Sequence, residues 1–170
     1  YETGSYQVKA TLLTDDYSAT TTTVGTIAVN GSKTGNIETA GDYDWLKVYF
    51  NAGTTYTINL KGSPSAVGTL ADPIFDGIYD AQGYYVYGTG NDDYGLSTES
   101  QATFTPTTSG YYYLSAASYG SGTGTYQFSV TGQTNADLPA NTSTTATIAL
   151  NGTYRSQISP SGDVDWIKAS

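Results

Sequence analysis

The sequence predicts an all-β protein, an antiparallel, jelly-roll-like β-sandwich. Apolar residues recur in short alternating runs, and no window holds a 3.6-residue period. Gly, Asn, Asp and Pro pairs interrupt these runs at short intervals, as turns do. The composition, with 17 Tyr and 20 Gly among many Thr and Ser, favours strands and turns over helices.

The strands are read in order. Residues 26–29 alternate and end at a tight turn, Asn30-Gly31, before a strand over 33–38. Residues 45–50 set Trp45, Lys47 and Tyr49 against Leu46, Val48 and Phe50, one set per face. After Asn51-Ala52-Gly53 the chain returns over 55–60 with Tyr56, Ile58 and Leu60 on one side. A Gly/Ser/Pro loop over 61–70 precedes a strand at 73–79, a turn at Asp80-Ala81-Gln82-Gly83 and a partner strand at 84–87. The polar stretch 91–100 is a loop, and strands at 102–105, 111–117 and 125–130 complete the unit. Trp45 and Trp166 are expected in the core, and Asp80 as a turn residue.

The chain repeats itself. Gly41-Asp42-Tyr43-Asp44-Trp45-Leu46-Lys47 returns as Gly162-Asp163-Val164-Asp165-Trp166-Ile167-Lys168, 121 residues on, and Asp16 aligns with Asp137. Near the N-terminus, Thr3-Gly4-Ser5-Tyr6-Gln7-Val8 matches Thr123-Gly124-Thr125-Tyr126-Gln127-Phe128, 120 residues on. A spacing of this size describes a tandem array of domains, not a solenoid of small repeats. The expected organisation is the last strand of a preceding repeat with a linker (1–14), a complete sandwich (15–134), and a linker with the first strands of a following repeat (135–170). Such end pieces suit neighbouring repeats of the same protein, or self-association by strand exchange into assemblies or filaments.

The formal charge is −9, which argues against nucleic acid and anionic membranes as partners. No apolar run has the length of a membrane span, and targeting information is expected outside this stretch. The chain has no Cys, Met or His. That removes disulfides, zinc–thiolate sites, thiolate nucleophiles and the usual general base, so no catalytic residue is assigned and enzymatic activity is not expected. Carboxylate and carbonyl oxygens remain, which are ligands for calcium or magnesium.

Two acidic groupings are candidate cation sites. Asp42 and Asp44, one residue apart at the start of a strand, would share a side of an extended chain, joined by Asp15 or Asp16. The alternative is that they cap turns and stay solvated. The second is Asp72 with Asn91, Asp92 and Asp93, brought to one open end if 73–79 and 84–87 form a hairpin; the alternative is a polar loop bonded to its own backbone. Consecutive tyrosines must point to opposite faces, so Tyr85, Tyr87 and Tyr94 are candidate ligand-binding residues for a polysaccharide or an extracellular protein; the alternative is that tyrosine simply fills strands with its hydroxyl in water.

The ordered set Asp15-Asp16-Tyr17-Ser18-Ala19, Gly41-Asp-x-Asp-Trp45, Ala52-Gly53-Thr54-Thr55-Tyr56, Ala71-Asp72-Pro73, Tyr79-Asp80-Ala81-Gln82-Gly83, Asn91-Asp92-Asp93, Phe104-Thr105-Pro106, Ser109-Gly110-Tyr111-Tyr112 and Gly124-Thr125-Tyr126 resembles the bacterial pre-peptidase C-terminal domain over about residues 15–131. The resemblance implies a calcium-binding β-sandwich appended to secreted proteases, collagenases or cell-surface proteins. It also implies that the lead-in folds back beside the entry to the 45–50 strand, with a backbone carbonyl completing the calcium shell. Collagenase-type members carry a Glu-rich lead-in where this chain has Asp15-Asp16.

Overall fold

The structure is a computed structural model that describes residues 3–8, 14–133, 141–144, 147–148, 150, 164 and 166–169. Eight strands form two four-stranded antiparallel sheets: β1 (Gly31–Ile37), β2 (Asp44–Phe50), β3 (Thr55–Lys61), β4 (Pro73–Tyr79), β5 (Tyr85–Val86), β6 (Ser100–Phe104), β7 (Gly110–Ser118) and β8 (Gly124–Gln133). One sheet has the order β1-β8-β3-β6 and the other β2-β7-β4-β5, the order of a jelly roll.

Alternation decides which side chains meet. Leu46, Val48 and Phe50 of β2 face Tyr56, Ile58 and Leu60 of β3 across the sandwich, with Phe75, Leu114, Tyr126 and Phe128 filling the space between. The Phe50 and Tyr56 rings stack at 4.1 Å. Both rings are buried, so the Asn51–Thr54 turn carries the chain from one sheet to the other instead of closing a hairpin. The 26–29 run likewise does not pair with the strand after it. Thr26 makes a parallel bridge to Lys47, whereas β1 pairs with β8. The expected 73–79/84–87 hairpin is present as β4–β5, its second strand shortened to two residues.

The lead-in straps the free edge of β2. The Trp45 N–H donates to the Tyr17 carbonyl (3.2 Å), Lys47 N–H to Gly25 (2.9 Å) and Ile27 N–H to Lys47 (3.0 Å). These bonds occupy an edge that would otherwise be open to other chains. Trp45 is buried, but on the outer face of its sheet, against Tyr79 and Tyr113 and outside the main core.

Beyond β8, Thr147–Ile148 pairs in parallel with Lys168–Ala169 (β9 and β10), 121 residues on from the Thr26–Lys47 bridge. Trp166 is 47% exposed, contrary to its expected core position, because no described ring covers it as Tyr79 and Tyr113 cover Trp45. Residues 3–8, expected as a strand, carry none and are exposed. The remainder of the 1–14 and 135–170 pieces, including Asp137, Asp163 and Asp165, lies outside the described residues.

Candidate metal centre

The lead-in, the end of β1 and the start of β2 converge at one end of the sandwich. Gly41 there has φ +84°, a conformation that glycine adopts without strain, and the turn closes with Asp42 N–H on the Thr39 carbonyl (3.1 Å). β2 begins at Asp44, whose even-numbered position turns its side chain inward. The strap of Tyr17 on Trp45 brings Asp15 and Asp16 alongside.

Asp15, Asp16, Glu38 and Asp44 each place a carboxylate oxygen within 4.8 Å of the others. That is about the span of two oxygens bound on opposite sides of one calcium ion, at roughly 2.4 Å each. Asp44 has no exposed surface. Neither of its oxygens has a hydrogen-bond partner, and one oxygen each of Asp16 and Glu38 is also buried without one.

Burial, together with the negative charges of Asp16, Asp42 and Glu38, pushes the Asp44 carboxyl up to about 8. The Tyr126 hydroxyl opposes this, close enough to favour the charged form but outside ordinary hydrogen-bond geometry. Burial also raises Asp16 and Glu38 above the usual carboxylate range, and raises the Tyr126 phenol well above its ordinary value. Tyr126 reaches the site beneath β1 because Gly35 has no side chain; a Cβ there would collide with its hydroxyl.

Asp42 stands outside this gathering. It lies on a turn rather than an extended strand, and its carboxylate accepts the Glu38 N–H at 3.1 Å. Asp15 uses one oxygen to accept the Tyr17 N–H (2.9 Å). Glu38 escapes the sequence reading because it sits at the end of a run that reads as a strand. Recurrence hides it too, since Ser159 occupies the aligned position in the repeat and Ala136 aligns with Asp15.

At the second grouping, Asp72, Asp92 and Asp93 bring carboxylate oxygens within 4.8 Å of one another. Asp72 is half-buried with one orphaned oxygen, and its carboxyl is raised by burial and then by Asp92 and Asp93, both exposed. Asn91 serves the fold instead. It exchanges both main-chain bonds with Phe75 (3.0 and 2.8 Å), and its side-chain oxygen accepts the Gln101 N–H. Asp80 is the expected turn residue, accepting the Gln82 and Tyr84 N–H groups at 2.9 Å each. Tyr85, Tyr87 and Tyr94 are exposed. A groove of about 500 Å³ beside Lys47, Tyr49 and Tyr111 contains no carboxylate.

No protein-family profile and no curated protein matches the chain. Solved structures do. The chain is similar to a pre-peptidase C-terminal domain. That domain, from the collagenase of Bacillus anthracis, is 20% identical over 62% of this chain and 92% of its own length, with a TM-score of 0.45. A periplasmic inhibitor of g-type lysozyme from Aeromonas hydrophila is 14% identical over 62% of this chain and 96% of its own, with a TM-score of 0.37. No helix among the described residues is long and apolar enough to cross a membrane.

Proposed function

We propose that this chain is a calcium-binding, non-catalytic accessory β-sandwich of a secreted or cell-surface protein. One observation carries the reading: Asp44 is fully buried with both oxygens unmet, beside unmet oxygens of Asp16 and Glu38. Burying a carboxylate without a partner is costly, and native proteins rarely leave such atoms unsatisfied. The charges acting on Asp44 are all negative, so the missing partner is a cation. An all-oxygen donor set selects a hard one, and several carboxylates in one gathering suit calcium better than magnesium, which keeps most of its waters.

Asp15, Asp16, Glu38 and Asp44 would hold the ion, which supplies positive charge and a tie between lead-in and sandwich. The lead-in follows whatever precedes the domain, so the tie stiffens the junction between neighbouring units. Calorimetric titration of calcium into chelator-treated protein tests this. Binding at about 10⁻⁴ M or tighter is expected, with protons released at pH 7 as Asp44 ionises. Asp44→Asn should abolish the heat. Absence of heat and of any change in melting temperature overturns the reading.

A further inference from the structure

We infer that the outer face of the β1-β8-β3-β6 sheet binds a neutral polysaccharide, through the Tyr94 ring and the Asn59–Gln101 amide pair. Tyr56, Ile58 and Leu60 point inward, so Thr57, Asn59 and Lys61 point outward. Register then lays Ser32, Ser129, Asn59 and Gln101 in one row across all four strands. No described outward position of these strands is acidic or apolar, in a chain with 15 Asp and Glu. A surface of hydroxyls and amides without carboxylates matches a ligand that itself offers uncharged hydroxyls.

The row ends in a built feature. Gln101 Nε2 donates to Asn59 Oδ1 at 2.6 Å, and Asn59 Nδ2 reaches Ser129 Oγ at 3.5 Å. These two bonds tie the pair to one another and to Ser129, and leave the Gln101 carbonyl and its second N–H to serve a ligand. Tyr94, 56% exposed, rises beside it over a cavity of about 150 Å³ that Lys61 also lines. A tight turn fixes its backbone, with Ser97 N–H on the Tyr94 carbonyl (3.3 Å) and Gly95 at φ +70°.

The nearby acids are already engaged. Glu99 lines the same cavity but is buried, its carboxylate oxygens accepting from Gly62 N–H and from the Ser65 N–H and hydroxyl, and the Asp92 and Asp93 carboxylates gather with Asp72. An aromatic ring beside paired planar amides is a combination that takes a sugar, the ring covering its apolar face and the amides its hydroxyls. Tyr85 and Tyr87 lack this setting. They lie at the other sheet, with ring planes crossed at 69°.

The inference does not rest on the calcium reading. Its test is retention of the whole chain on insoluble cellulose, chitin and β-1,3-glucan, with and without chelator. Retention on at least one is expected. Tyr94→Ala and Gln101→Ala should each weaken it by about tenfold, with Tyr87→Ala unchanged and melting curves preserved. Tyr94 is exposed, so its variant tests the site even if Gln101→Ala fails to fold. Retention on none of the three, retention that survives Tyr94→Ala, or equal loss in Tyr87→Ala overturns the inference.

Discussion

Glu99 and Asp44 are both buried carboxylates, 8% and 0% exposed, and they are buried to opposite ends. Glu99 stands just before β6 and closes the 62–70 loop. It accepts Gly62 N–H and Ser65 N–H at 3.0 Å each, and the Ser65 hydroxyl at 2.6 Å. Asp44 accepts nothing and faces other acids. Burial of a charge is therefore no mark of a site. The mark is burial with the acceptors left over.

The largest expected effects set these two residues against each other. Glu99→Ala should cost about 2–4 kcal/mol, because two backbone N–H groups and a hydroxyl lose their partner. The loss should be the same with calcium or with chelator. Asp44→Asn should do the reverse, stabilising the chelated protein by about 1–2 kcal/mol, because a neutral amide removes the cost of keeping a buried carboxyl protonated among other acids. It should also erase the stabilisation that calcium gives the native chain, about 2.7 kcal/mol at a hundredfold excess over Kd. Denaturant melts in both conditions check this. A calcium response retained by Asp44→Asn would remove the distinction.

The next effect is in pH. Asp44 is raised to about 8 in the folded, metal-free chain against 3.8 in the unfolded one. Between these values the folded state holds a proton that the unfolded state has released. Metal-free stability should therefore fall as pH rises from about 4 to about 8, by about 1.4 kcal/mol per unit at most. Saturating calcium, which needs the ionised carboxylate, should remove the fall or reverse it. Urea melts at pH 5 and pH 8 decide; equal metal-free stability at both would mean that Asp44 is not the orphan it looks.

The sequence made the strands legible because alternation is a local property. Pairing was legible only where it is local, as in the β4–β5 hairpin; elsewhere it depends on which buried faces meet. Phe50 and Tyr56 both read as inward residues, but only their stacking across the sandwich shows that the turn between them changes sheets. The site was legible in the same partial way. Recurrence singled out Asp16 and Asp44, where the lead-in and the strand start meet. It also singled out Asp42, which the turn diverts to the Glu38 N–H, and it passed over Glu38 itself. Trp45 read correctly as buried, yet its position opposite Leu46 puts it on the outer face, under the aromatic cluster with Tyr79.

The smallest expected effect lies at Asp72, Asp92 and Asp93, which share the geometry of the first gathering without its burial. Asp92 and Asp93 are exposed, so water screens their mutual repulsion and solvates their free oxygens. Only Asp72 has a buried orphaned oxygen. The Asp92→Asn/Asp93→Asn double variant should thus change stability by less than about 0.5 kcal/mol in chelator and leave most of the calcium heat in place. If instead the double variant removes as much heat as Asp44→Asn, geometry outweighs burial in holding the ion. The contrast between an orphaned and a satisfied carboxylate would then no longer locate the site.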